Sequence, residues 1–283
     1  MSITTIVPVF AAATAFFALP VQAAPAQPLR VLIISGGGYH NYPEQRRLLE
    51  EGLKAQLNVT VSHTFYDPAG DDQPTRPKLP ILTNPHYGDG YDVIIHNECA
   101  ADESDPAALD NVLAPHRRGI PAVNLHCAMH SYRSGTWREP VQADADNARW
   151  FALTGIQSTG HGPQSPIKLS VISPTHPIAK GLEVWTTPNE ELYNNLTQFG
   201  VTPVLAGIQP NAAKESERGQ QFTVAWTHEY GPAKTKVFSL TLAHNEASMA
   251  DPRYLNLVAR GVAWATGHLN ADGSFDAAIR PPK

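Results

Sequence analysis

Short apolar runs alternate with glycine- and proline-rich polar segments along the chain, and the first run sets the pattern. Val31, Leu32, Ile33 and Ile34 are continuously apolar, as expected of a strand buried on both faces of a sheet. Ser35 and three glycines follow, allowing a sharp turn and close backbone approach. Asn41 then offers a helix cap, with Pro43 and Glu44 in the first turn. Strand, glycine turn and helix open an α/β sheet whose ligands bind beyond the carboxyl ends of its strands. His40 falls at that edge. The glycine spacing is not G-x-G-x-x-G, so no dinucleotide site is expected.

The pattern continues in the same style. Leu49, Leu53 and Leu57, with Leu48 beside them, form one helical stripe. Val59 to Phe65 alternates as a second strand. Residues 66–90 form a long loop, Tyr91 to His96 a third strand, and Ile120 to Leu125 a fourth. Asp105 and Pro106 start the helix between the last two, Leu109, Val112 and Leu113 face inward, and Pro115 shortens or kinks its end. Later strands are expected at Ile167–Ile172, Pro203–Ile208, Phe222–Thr227 and Val237–Leu242, the last two joined by a turn at Gly231-Pro232. Asp251 and Pro252 cap a final helix with Leu255, Val258, Ala259 and Val262 on one face, ended by Gly267. The early sheet should be parallel and the later region more mixed.

Composition narrows the reading. The 283 residues suit one elaborated α/β domain, and the formal net charge of −5 is scattered, with no basic tract. Nucleic acid and anionic membranes are therefore not expected partners. Residues 1–27 read as a signal peptide and linker, 28–270 as the domain and 271–283 as a C-terminal tail. Ile6 to Leu19 is apolar and too short to span a bilayer, and Val21-Gln22-Ala23 suits cleavage before Ala24. A secreted, periplasmic protein with no membrane span after signal removal follows; a disordered extension or a retained anchor is the alternative. The region before the apolar run lacks Lys and Arg, a departure from the usual signal. The two cysteines, Cys99 and Cys127, each sit close behind a predicted strand. They pair if those strands are neighbours and otherwise stay as buried thiols.

Several segments in order resemble the ThuA-like family, named for trehalose utilisation. They are ISGGGYHNY after the first strand, VNLH at 123–126, the segment 155–161 ending in Gly160-His161, HPIAKGL at 176–182, EELY at 190–193, KVFSLTLAHNE at 236–246 and DPRYLNLVARGVAWATG at 251–267. The resemblance implies a flavodoxin-like open sheet, similar to class I glutamine amidotransferases, mostly parallel with long loop insertions. It also implies carbohydrate metabolism. Ala243 stands where the family tends to have Gly, and Asn245 where an Asp is usual. Glutamine hydrolysis is not expected, because His126 rather than a cysteine occupies the turn after the fourth strand and its glycine neighbours are missing.

Histidine is the chemical resource. His40, His96, His126, His130, His161 and His244 all fall at strand ends or in loops that cover them, whereas His63, His86 and His116 read as solvated and His176 as a turn residue. His126, His161, His244 and Glu191 are the candidate catalytic residues. Gly37, Gly38, His40, Glu98, Tyr193 and Glu246 are candidates for substrate binding. One chemistry is elimination from a keto-sugar or keto-glycoside, of lyase or hydrolase type, with histidine as the base. A second uses converging histidines, or two with a carboxylate, to hold a divalent metal such as zinc, although no H-x-H or H-E-x-x-H spacing supports one. A third is a non-catalytic carbohydrate-binding module. The expected partner is a small sugar or disaccharide, with a homo-oligomer left open.

Overall fold

The computed structural model describes residues 1–3, 27–66, 74–210 and 219–281. Nearly all of the segment read as a signal peptide, with its cleavage site, lies outside the described residues. The chain runs β1 (Leu29–Gly37), α1 (Tyr42–Gln56), β2 (Val59–Tyr66), β3 (Val93–Cys99), α2 (Pro106–Arg117) and β4 (Ala122–Leu125). It continues through α3 (Arg149–Thr154), β5 (Ile156–Gln157), β6 (Ser165–Val171), β7 (Thr186–Glu190), β8 (Thr197–Gln198) and β9 (Thr202–Ile208). It ends with β10 (Gln221–Tyr230), β11 (Thr235–Leu240), α4 (Glu246–Met249) and α5 (Pro252–Ala265).

Nine strands form one sheet in the order β2-β1-β3-β4-β11-β10-β9-β6-β7. The first five are parallel, and their order is the flavodoxin-like 2-1-3-4-5. From β11 onward every neighbour is antiparallel. The fold is thus a flavodoxin-like open α/β sheet, widened by an antiparallel half.

The continuous apolar run of β1 is explained by its place between β2 and β3 with helices on both sides. Val31 and Ile33 pack with Leu49 and Leu53 of α1, with Leu57 at its C-cap and with Val258 and Val262 of α5. Leu32 and Ile34 pack with Leu109, Val112 and Leu113 of α2 and with Trp150 of α3. The capping signals act as read. Asn41 accepts from the Glu44 amide, Asp105 from Ala107 and Asp251 from Arg253. Pro115 lies inside α2, which ends two residues later.

Three expectations need correction. His116 is not solvated but fully buried: its Nδ1 lies 2.7 Å from the Ile120 carbonyl and its Nε2 2.9 Å from Nε2 of His96. The helix end turns inward there because Pro115, itself buried, anchors it. β3 runs on to Cys99, three residues beyond His96, because Asn97, Glu98 and Cys99 stay paired with Ser35, Gly36 and Gly37 of β1. Residues 271–281 are not a free tail: Ile279 is buried and its carbonyl accepts from the Asn58 amide. Among the described residues no helix is long and apolar enough to cross a membrane.

Cys99 and Cys127 form a disulfide, with Cα atoms 5.0 Å apart. β3 and β4 are hydrogen-bonded neighbours, so the two residues leave adjacent strand ends. Closing 28 residues of chain constrains the unfolded state by roughly 3.5 kcal/mol. The Cys99→Ser/Cys127→Ser variant should therefore melt several degrees below the parent, and unreduced exported protein should show no free thiol by mass spectrometry. Two titratable thiols in that material would refute the bridge.

Acid sensitivity follows from buried histidines away from the sheet edge. Burial, reinforced by His96, pushes His116 down to about 3, and burial pushes His228 down to about 4, against an ordinary 6.5. Both are neutral in the native state while the unfolded chain protonates near 6.5. Stability is thus fully present above 6.5 and is lost as pH falls from there towards 4, at on the order of 1 kcal/mol per pH unit for each histidine. Thermal melts at pH 7.0, 6.0 and 5.0 should show a progressive fall; a flat profile would show that these rings titrate normally.

Candidate functional site

Four loops at the carboxyl edge of the parallel strands build the site. The first leaves β1 through the glycine turn. Gly37 has φ +113, and a Cβ there would lie 2.1 Å from the Cys99 carbonyl oxygen, so glycine is what lets β1 lie against β3. The turn delivers His40 just before the α1 cap. Its Nδ1 donates to the His244 carbonyl at 3.0 Å.

The second loop leaves β4 at Leu125. His126 follows with φ +41, a left-handed conformation costing on the order of 1 kcal/mol for a non-glycine residue. Its Nδ1 donates to the Thr241 carbonyl at 2.7 Å, leaving Nε2 facing the site, 3.3 Å from the Tyr193 hydroxyl. His130, at the end of the same 3-10 turn, stacks on Tyr193 with ring centroids 4.0 Å apart and its Nε2 2.8 Å from Ser158 Oγ.

The third and fourth loops follow β7 and β11. Glu190 is fully buried, and its carboxylate accepts from the Ala243 amide at 2.9 Å and the His244 amide at 3.1 Å. This fastens the end of β7 to the turn after β11. Glu191 is then aimed inward: its Oε1 lies 3.3 Å from His244 Nδ1, and its Oε2 lies 3.6 Å from Nε2 of both His126 and His161. Ala243 has φ +78, which explains why a glycine suits that position.

The result is a compact histidine–carboxylate cluster. Ring centroids are 5.0 Å apart for His40–His126 and His40–His244, and 5.4 Å for His126–His244. Burial, with the neighbouring His126 and His244, pushes His40 down to about 3. Burial opposes ionisation of Glu191, yet His126 and His244 hold its carboxyl well below the usual range. Glu191 in turn raises His244 against the cost of burial. His161 is the most open member, with a side chain 40% exposed. Its Nδ1 donates to the Gly162 carbonyl at 2.9 Å, so Nε2 is the basic nitrogen.

His40, His161, His244 and Glu191 form one wall of a pocket of about 610 Å³, within the range of small-molecule sites, and His126 is buried beside them. Tyr39, Trp137, Arg133 and Arg138 line the rest, the two guanidiniums lying 4.0 and 4.2 Å from the Trp137 ring centre. The disulfide borders the pocket as well.

Of the residues singled out from sequence, His40, His126, His161, His244, Glu191 and Tyr193 come together here. Gly37 and Gly38 do not line the pocket: Gly37 is a packing glycine, and the Gly38 carbonyl accepts from Tyr42. Glu98 points the other way. Side chains alternate along a strand, and because Cys99 faces the pocket, Glu98 is turned into the α2–α3 layer. There it is fully buried, with Oε1 2.7 Å from His96 Nδ1 and 2.9 Å from the Tyr132 hydroxyl. Glu246 is the first residue of α4 and adds only a favourable field at His244. Gln164 carried no motif signal, yet its amide lies 2.9 Å from His244 Nε2 and 3.4 Å from Glu191 Oε1. Ser158 and the two arginines were equally silent.

One solved structure agrees with this architecture. A crystal structure of a ThuA-like protein from Bacteroides uniformis superimposes with a TM-score of 0.56 at 16% identity, covering 88% of this chain and 95% of that one. A glutamine amidotransferase from Thermotoga maritima gives 0.39 at 12% identity, covering 84% and 94%. No curated protein matches the chain. The family model for ThuA, trehalose utilisation, matches residues 30–265, nearly the whole described α/β domain, and the chain belongs to the ThuA family.

Proposed function

We propose that this ThuA family member is an exported carbohydrate-processing enzyme that acts on a small keto-sugar or keto-glycoside by histidine acid–base chemistry. The observation that carries the reading is the convergence of His126, His161 and His244 on Glu191, with His40, His161, His244 and Glu191 lining a sugar-sized pocket. A binding module needs flat aromatic surface and hydrogen bonds, which Tyr39 and Trp137 supply; it has no use for three imidazoles around one carboxylate.

His161 is the base in this scheme. Its neutral Nε2 removes the proton on the carbon beside the ketone, and the C–H electron pair passes into the carbonyl as an enolate. The imidazolium is stabilised by Glu191, 3.6 Å away. Collapse of the enolate expels the glycosidic oxygen on the next carbon, and that oxygen takes up the proton His161 removed. The products are an enone and a free hydroxyl, and addition of water to the enone completes hydrolysis. The inner histidines face the carbonyl end of the substrate. Export is supported by the apolar segment before Ala24 and by the paired cysteines, which suit an oxidising compartment.

His161→Ala should lower kcat on a keto-disaccharide by about 10²- to 10⁴-fold with little change in KM. His161→Gln should fail to restore it, since an amide cannot take the proton. His126→Ala should abolish turnover in a protein that still folds. Saturable sugar binding without turnover by the parent would make the protein a binder, and unchanged kcat in His161→Ala would move the base elsewhere. Export is checked by N-terminal sequencing of protein made in its native host: a start at Ala24 is expected, and an intact Met1 on soluble cytoplasmic material would sink the localisation.

A further inference from the structure

We infer that His40, His126 and His244, with Glu191 beside them, form a binding site for one divalent transition-metal ion of the zinc class. One ring nitrogen of each histidine lies within 4.8 Å of one from each of the others. Around a tetrahedral zinc such nitrogens stand about 3.3 Å apart, so side-chain shifts of about an ångström complete the sphere.

Three further features point to a cation. His40 and His126 each commit Nδ1–H to a backbone carbonyl, of His244 and Thr241. That is the outer contact that orients metal-binding imidazoles, and it turns both Nε2 atoms to the cluster, that of His126 lying 3.3 Å from the Tyr193 hydroxyl. His244 Nδ1 is buried and has no hydrogen-bond partner, although Glu191 Oε1 is 3.3 Å away. Imidazole nitrogens gathered beside a carboxylate concentrate electron density that a positive ion relieves. Three imidazoles and a carboxylate form a nitrogen-rich set of borderline softness, suited to zinc rather than to calcium or magnesium. The nearby sulfurs are tied in the disulfide and are not offered as thiolates.

His40, His244 and Glu191 line the pocket, so the ion keeps a face towards it. The chemical use of the ion rests on the keto-sugar reading. With Nδ1 committed to backbone carbonyls, His40 and His126 turn Nε2 acceptors to the site, whereas a bound cation would polarise the ketone directly while His161 takes the proton. Binding of the ion does not depend on that reading.

The test is zinc titration of the full mature chain after chelator dialysis, followed by calorimetry and thermal melts without sugar. One equivalent should bind, and a hundredfold excess over Kd should raise Tm by about 5 to 10 °C. His126→Ala and His244→Asn should each weaken binding on the order of 100-fold, while His161→Ala keeps one tight equivalent. Two variants guard against one that fails to fold, which a metal-free melt would reveal. Less than one equivalent in the parent, or variants that bind like the parent, would overturn the site. Full turnover of a keto-sugar after chelation would refute the metal alone; tight zinc binding with no sugar turnover would refute the sugar reading alone.

Discussion

Glu190 holds the site together. Its buried carboxylate accepts from the amides of Ala243 and His244, so the segment after the sheet's far edge strand is fastened to the end of β11. Hydrogen bonds to a charged group contribute about 1.5 to 3 kcal/mol each, and losing the acceptor would leave two amides without it. Through this link Glu191 is carried across the antiparallel half to face histidines that arise from β1, β4 and β11. The adjacent acids have opposite roles: one is consumed by backbone, the other is left to the cluster.

The loops that deliver these groups are strained where they turn. Tyr39, His126 and Ala243 have φ of 77°, 41° and 78°, and all three stand at or next to the cluster. Each such residue costs on the order of 1 to 3 kcal/mol and persists because its surroundings over-determine it. The packed parallel sheet, the disulfide and the Glu190 contacts supply that determination. A histidine at the head of a left-handed turn has little freedom, which suits a group that must meet a ligand in one orientation.

Much of the polar interior serves the fold instead. Glu98, His96, His116 and Tyr132 form a buried chain on the opposite side of the sheet from the pocket, with His116 closing onto the backbone. Its polar atoms are paired except Glu98 Oε2, which is buried without a hydrogen-bond partner. Such networks resemble functional clusters in composition, and only their placement separates them.

The chain's own residue order determined the elements. The apolar runs, the Leu49–Leu53–Leu57 stripe and the caps at Asn41, Asp105 and Asp251 act over a few residues, and local rules of periodicity and capping read them directly. The parallel core and the gathering of histidines at one edge followed, because strand ends in such a sheet share a side. Tertiary structure alone decided which residues at that edge face inward. Whether Cys99 or Glu98 meets the pocket depends on a one-residue phase of β3, and the long-range roles of Glu190 and Gln164 depend on how the antiparallel half folds back. The pairing of Cys99 with Cys127 likewise waited on β3 and β4 being neighbours. These are contacts between segments as far as 204 residues apart, as between His40 and His244, and no local pattern encodes them.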